Sequence, residues 1–241
     1  VEVYTLPRTP FAARVVRNSL CMHIYALAFA WAVDHLNQQL SAHMPAATTI
    51  GLVELFGFED LGRSNGFPQL CVNYANEVLH SMFVEHVQQQ EQLSYGSQGI
   101  EWHASDYLAS GNGDVIALLS ERPNCILSLL DDTCATGRGT DASFVSSMHT
   151  AFAARPWDAS SRPYKKPRDG FETQFAVVHS FGEVLYDSTG FVEINMDALS
   201  PELRDLLEVH SGFEQLASLA REESERRHGH SKDASGRRPP G

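Results

Sequence analysis

Apolar residues recur at helical spacing early in the chain. Thr9-Pro10 offers an N-cap followed by proline at the first helical position, and Leu20, Ile24, Leu27 and Trp31 then follow until Met44-Pro45 stops the pattern, which predicts one long amphipathic helix over 10–44. Residues 49–56, TIGLVELF, form a β-branched and apolar run closed by Gly57, the signature of a strand buried on both faces. After a polar loop, a second helix starts at Phe67-Pro68. Its stripe runs through Leu70, Cys71, Tyr74, Val78 and Met82 with Phe83 and Val87 beside it, fades through Gln88–Gln92 and ends near Tyr95-Gly96. Two shorter helices, 114–120 and 126–131, flank Arg122-Pro123-Asn124, and Thr140 caps a third. Ser160–Gly170 reads as a basic, proline-containing loop. Phe175–His179 and Glu183–Tyr186 alternate around Phe181-Gly182 as a hairpin, and Pro201–Leu219 is helical again. From Arg221 to Gly241 no apolar side chain larger than alanine remains, so this stretch is expected to be disordered. The pattern predicts an α/β chain that is predominantly α-helical.

Composition narrows the class. With 241 residues, 43% hydrophobic and 20% charged, the chain is an ordinary globular one and excludes collagen-like or wholly disordered sequences. Its formal charge of −12 gives no electrostatic pull toward nucleic acid or an anionic membrane. The charge is uneven, because residues 221–241 carry six basic and four acidic side chains. The longest uninterrupted apolar stretch, Ile24–Val33, is too short for a bilayer-spanning helix, and no signal peptide is expected. Cys21, Cys71, Cys125 and Cys134 have neither CxxC nor metal-like spacing, which favours reduced core thiols over disulfides. His23, His179 and His210 have no partners at ligand spacing and read as ordinary core or surface histidines.

One segment carries candidate chemistry. Glu54 lies on the expected strand three residues before Gly57, and Glu59 follows. Folds that hydrolyse phosphate esters use such a carboxylate to hold a Mg²⁺-bound water, and the glycine N–H to reach a terminal phosphate. By spacing alone, plain strand-and-turn chemistry is the better reading of an ExxGxE string.

The surrounding text changes that balance. Residues 50–77, IGLVELFGFEDLGRSNGFPQLCVNYANE, resemble the switch II and relay-helix region of the myosin motor domain, whose pattern runs Asp-x-x-Gly-Phe-Glu and then Asn-x-Phe-Glu-Gln-Leu-Cys-x-Asn-Tyr-x-Asn-Glu. Further likenesses follow in order: Gly99–Trp102 to the end of the relay loop, Ile126–Asp132 to the actin-contacting helix–loop–helix, Thr140–Phe144 at the family's spacing, His179–Tyr186 to a His-Tyr-Ala-Gly-x-Val-x-Tyr strand pair, and Gly190–Asn195 to a Gly-Phe-x-x-Lys-Asn turn. The helix containing Ile24–Trp31 and Asn37 resembles the one that precedes switch II. The likeness covers about residues 10–220.

The resemblance implies a partial P-loop NTPase motor fold: a lower actin-binding subdomain, one strand of the central sheet and a small β-hairpin. Residues 1–220 would form this partial motor domain: the long helix at 10–44, strand and switch II at 49–59, relay helix and loop at 67–102, actin-binding helix–loop–helix at 113–149 and hairpin at 171–190. Residues 221–241 would be a disordered basic surface loop. Gly57 would donate its N–H to the γ-phosphate of ATP, Glu59 would pair with a switch I arginine, and Glu54 would hold a Mg²⁺-bound water. Glu54 departs from the family's Asp, and the extra methylene moves the carboxylate by roughly 1.5 Å, enough to slow or alter turnover. Filamentous actin would be met by Pro123, Asn124, Cys125 and Ile126 at the helix–loop–helix tip, where Cys125 replaces a usual glycine. Lys165, Lys166 and Arg168 would add a loop contact, and Arg226, Arg227, Lys232, Arg237 and Arg238 would steer toward the acidic filament. Light chains or calmodulin would attach through a lever arm outside this sequence, and the location implied is the cytoplasmic cytoskeleton.

The sequence has no GxxxxGK[ST] loop and no switch I segment, so it is expected not to hydrolyse ATP alone. It would expose a cut sheet edge and be poorly soluble in isolation. An actin-binding or regulatory pseudo-motor with weak or lost ATPase is the alternative, motivated by Glu54, Cys125 and Ser180-Phe181.

Overall fold

The computed structural model describes residues 5, 7–40, 48, 50–63, 65–101, 111–153, 155, 162–168, 170–196, 199–210, 218–219 and 221. They fall into two units, Val1–Gly51 with Asp197–Gly241, and Leu52–Met196.

In the first unit, helix α1 spans Pro10–Leu40 and begins as predicted, with Thr9 Oγ1 accepting a hydrogen bond from Ala12 N at 3.2 Å. Its buried positions are Val15, Ser19 and Leu27, whereas Tyr25, Phe29, Trp31 and Leu36 are exposed. Only Leu27 of the expected stripe is buried. The end of the predicted helix, 41–44, lies outside the described residues. By length and composition α1 is, among the described residues, the one helix able to cross a membrane, with a mean hydropathy of 1.2 over its most apolar window. The expectation from Ile24–Val33 counted only uninterrupted apolar residues, whereas the helix as formed is longer. A second helix, named α7 in chain order, covers Pro201–His210.

The second unit holds the core. Helix α2 spans Phe67–Ser97, α3 Gly113–Ser120, α4 Ile126–Ala135, α5 Asp141–Ala153 and α6 Phe191–Asn195. Strands β1 (Tyr164–Lys165), β2 (Gln174–His179) and β3 (Gly182–Asp187) make an antiparallel sheet in that order, with Phe175 opposite Tyr186 and His179 opposite Gly182. The predicted hairpin is present, and its third strand arises inside the segment expected to be a loop. The two turn residues Ser180-Phe181 let β3 reverse directly onto β2, while Tyr164 aligns with Val177 on the other edge.

Alternation on β2 directs Phe175, Val177 and His179 to one face. Tyr164, Phe175 and Tyr186 stack across the three strands, at centroid separations of 6.5 and 5.4 Å, and Phe144 and Phe191 meet Phe175 nearby. Leu70, Leu118, Ile126, Leu130, Met148 and Phe152 complete the core. Thr140 caps α5 through a reciprocal pair with Ser143, as its sequence position predicts. Asp141 in turn accepts from Gly190 N and Val192 N, at 2.8 and 3.0 Å, and so ties the start of α6 to α5. Gly190 needs its freedom, with φ at 86°.

The predicted strand at 49–59 does not form: the described residues from 50 to 61 have no ladder partner, and Ile50, Leu52, Val53, Leu55 and Phe56 are all exposed. A strand is sustained by neighbours that satisfy its backbone and cover its faces, and unit two supplies none along this run. The stripe of α2 also differs from expectation. Leu70, Asn73 and Glu77 are buried, whereas Cys71, Met82, Phe83 and Val87 are exposed. The thiols are all free, with Cys21 and Cys71 exposed rather than in the core, Cys134 half-buried and Cys125 buried.

Candidate functional site

The loop before α2 is held by amide side chains. Asn76 Nδ2 donates to Phe56 O at 2.8 Å. One turn earlier, Asn73 meets the Glu59 backbone twice: its Oδ1 accepts from Glu59 N and its Nδ2 donates to Glu59 O, both at 2.8 Å. This mimics a pair of sheet bonds for an unpaired stretch of backbone. Gln69 Nε2 donates to the Glu59 carboxylate at 3.2 Å. Asn65 is fully buried and closes the far end of the loop. Its Oδ1 accepts from Leu61 N, and its Nδ2 donates to Asp60 Oδ1, Gly62 O and Leu185 O at 2.8 to 3.0 Å. Asp187 N donates back to Asn65 O, so the loop is fastened to β3 as well as to α2.

Behind Asn73 lies a buried polar network. Asn73 Nδ2 donates to Tyr186 Oη at 2.8 Å, and Tyr186 Oη lies 2.9 Å from His179 Nε2. His179 Nδ1 is 3.2 Å from Glu77 Oε1, with both side chains fully buried. Glu77 Oε1 also accepts from Ser180 N, and Oε2 from Ser180 Oγ and Asn112 Nδ2. Burial pushes the Glu77 carboxyl up, but the hydrogen bonds from His179, Asn112 and Ser180 outweigh it and bring the group down to about 2. Burial raises the Tyr186 hydroxyl above its usual range, only partly offset by Asn73. Phe58 covers this network, with its ring 5.4 Å from both His179 and Phe181.

The sequence-predicted site residues divide sharply. Glu54 is exposed and has no hydrogen bond or ion pair to another described residue. Gly57 is exposed, and a Cβ added there would meet nothing within 4 Å. Neither a positive φ nor a crowded neighbour within the chain requires glycine at this position. Glu59 is half-buried and anchored. The described residues contain no group of three or more His, Cys, Asp or Glu able to hold a metal ion, so the fit to Mg²⁺ is limited to one free carboxylate acting through water.

At the helix–loop–helix, Pro123 and Asn124 are exposed, whereas Cys125 and Ile126 are buried at 1% and 0% exposure. Cys125 has φ of −125°, an extended value that any residue adopts, and its Sγ caps α4 by accepting from Ser128 N at 3.3 Å. The cysteine therefore forms the turn without needing glycine. The expected apolar tip narrows to Pro123, beside a pocket lined by Glu121, Arg122, Asn124, Ala151 and Arg155. Lys165 lies on β1 and pairs with Glu183 at 2.6 Å, while Lys166 and Arg168 are exposed. Arg226, Arg227, Lys232, Arg237 and Arg238 lie outside the described residues.

Reading by spacing missed Asn73, Asn76, Asn112 and Glu77, the carboxylate partner of His179. Glu77 and His179 are 102 positions apart, so no local motif joins them. A signal did exist: Asn73 and Glu77 stand three and seven places after Leu70, which puts two polar residues on the buried face of a helix.

Comparison with known proteins gives one family. Residues 1–239 match the family model described as "Myosin head (motor domain)". The chain is 34% identical over 205 residues to "Myosin-I heavy chain" of Dictyostelium discoideum, covering 85% of this chain and 8% of that protein. It is 34% identical to "Unconventional myosin-Vb" of Rattus norvegicus, covering 87% and 11%, and 33% identical to "Myosin IC heavy chain" of Acanthamoeba castellanii, covering 87% and 17%. The chain thus spans between 8% and 17% of the length of these relatives.

Proposed function

The chain belongs to the myosin motor-domain family, and from that premise we propose that it is part of an actin-based, ATP-driven motor, in which the loop from Glu54 to Asp60 responds to nucleotide. The observation that carries the reading is the contrast within this loop. Glu54 and Gly57 are bare, while the next two residues are fixed to α2 and the hairpin. A free backbone N–H at an open glycine suits a phosphate oxygen, and a free carboxylate suits a Mg²⁺-bound water. ATP would supply the free energy of phosphoryl transfer, and the anchored Glu59 would convert loop movement into movement of α2.

The P-loop NTPase assignment, the relay role of α2 and the part played by residues 113–149 in actin binding belong to this proposal. Pro123 and Asn124 supply the exposed tip, Cys125 and Ile126 support it from beneath, and Lys166 and Arg168 offer positive charge toward an acidic filament. Lys165, already paired with Glu183, contributes less. The basic residues of 221–241 would steer the encounter, light chains or calmodulin would join through a lever arm, and the setting is the cytoplasmic cytoskeleton.

The test is ATPase activity of the full-length protein with and without filamentous actin, at low and raised salt. Actin activation that weakens with salt is the expected result. Absence of actin activation would overturn the motor reading in favour of a pseudo-motor, the alternative that Glu54 favours because its longer side chain displaces the carboxylate.

A further inference from the structure

The network behind Asn73 has a direction. A carboxylate offers about four acceptor positions, and Glu77 receives four contacts: Ser180 N and His179 Nδ1 on one oxygen, Ser180 Oγ and Asn112 Nδ2 on the other. His179 must therefore donate from Nδ1. In the neutral ring this leaves Nε2 as an acceptor, which the Tyr186 hydroxyl fills by donating its hydrogen. The Tyr186 oxygen is then free to accept from Asn73 Nδ2. That bond fixes which way the Asn73 amide faces, and only this orientation places oxygen against Glu59 N and nitrogen against Glu59 O. Each donor is set by the group behind it, starting at Glu77.

We propose that Ser180, Glu77, His179 and Tyr186 form a one-way hydrogen-bond relay that positions the Glu59 backbone through Asn73. These are positioning residues: none is given a role in touching nucleotide. Ser180 is the distinctive member, since it provides both a backbone and a side-chain donor from the β2–β3 turn and so couples the geometry of that turn to the loop. The relay regulates how readily residues 58–61 leave the clamped arrangement. Its functional meaning rests on the nucleotide-response reading above, whereas its hydrogen bonding does not.

Amide hydrogen exchange across the whole chain tests it. Tyr186→Phe removes one oxygen and keeps the stacked ring. The expected result is exchange at residues 58–61 rising roughly fivefold, the factor that corresponds to one net hydrogen bond. Ser180→Ala, at the turn surface, is expected to raise it about twofold at the same amides although it touches none of them. Val177→Ala thins the same sheet by packing alone and is expected to spread its effect over β1–β3 without singling out 58–61. Unchanged exchange at 58–61 in Tyr186→Phe, or a rise no larger than in Val177→Ala, overturns the relay. In the full-length protein, MgATP is expected to change protection at 58–61 in the wild type, with a smaller change in Tyr186→Phe. A wild type that ignores MgATP overturns the nucleotide reading, while a local rise in Tyr186→Phe still supports the relay.

Discussion

Residues 50–56 and 58–65 are neighbours in sequence and opposites in structure. The first stretch is almost wholly apolar and exposed throughout, from Ile50 at 100% to Leu55 at 52% exposure. The second is rich in polar residues; its backbone is held by Asn65 and Asn73, and Gln69 holds the Glu59 carboxylate. Hydrophobicity therefore does not decide which half is fixed. Apolar side chains need a surface to cover them, whereas an amide side chain needs one backbone group at the right place, and α2 supplies that within a single helical turn.

The largest effect is expected where the clamped half is rooted. Glu77→Ala leaves four donors facing an empty, buried site, and a loss of about 3–5 kcal/mol of stability should follow, read by denaturant unfolding. Asn65→Ala removes one acceptor and three donor contacts from a fully buried position and should cost about 2–3 kcal/mol. If either variant unfolds at the wild-type midpoint, the clamped half owes its order to something other than these bonds.

Acid should act on the same root. Glu77 titrates near 4.5 when unfolded and near 2 when folded, so its contribution is complete above the unfolded value and is lost as pH falls through the folded one. Unfolding free energy measured from pH 5 down to pH 2 should fall by on the order of 3 kcal/mol from this group, since the side chain is fully buried and little screened. Glu77→Gln should flatten that slope, and an unaltered slope would assign the acid sensitivity elsewhere.

How much of this was readable from the sequence follows the same division. Two capped helices were legible because their signals are local: Thr9 and Thr140 both accept from the backbone three residues on. The hairpin was legible because alternation and a two-residue turn are also local. The strand at 49–59 was misread because an apolar run specifies burial only when another element is there to bury it. Cys125 and Ile126 were placed at an exposed tip, yet they fill the core under it, as apolar residues at the start of a capped helix do. The Glu77 network was invisible to spacing because Asn112 and His179 come from 35 and 102 residues away, and only the polar interruptions on the α2 stripe announced it.

A smaller effect should separate the clamps from one another. Asn76→Ala removes a bond to Phe56 O that is exposed to solvent, and water can replace it. A loss of about 0.5–1 kcal/mol is expected, with exchange rising mainly at residues 56–58. A loss matching that of Asn65→Ala would mean the boundary between the two halves lies earlier than Phe56.

The smallest effect on stability, and the sharpest test of the comparison, belongs to the bare half. Leu52→Ser changes a side chain that unit two leaves almost entirely in water, so unfolding free energy should move by less than about 0.5 kcal/mol. Its effect should instead be on what the surface attracts. Ile50, Leu52, Val53, Leu55 and Phe56 form a run of exposed apolar side chains, the kind of surface that binds an apolar dye and promotes self-association. Leu52→Ser combined with Phe56→Ser should lower dye fluorescence and concentration-dependent light scattering while leaving the melting curve in place. Should the double variant instead lose more than about 1.5 kcal/mol, residues 50–56 would be load-carrying in the folded chain, and the difference between the two halves would be one of partner type rather than of partner presence.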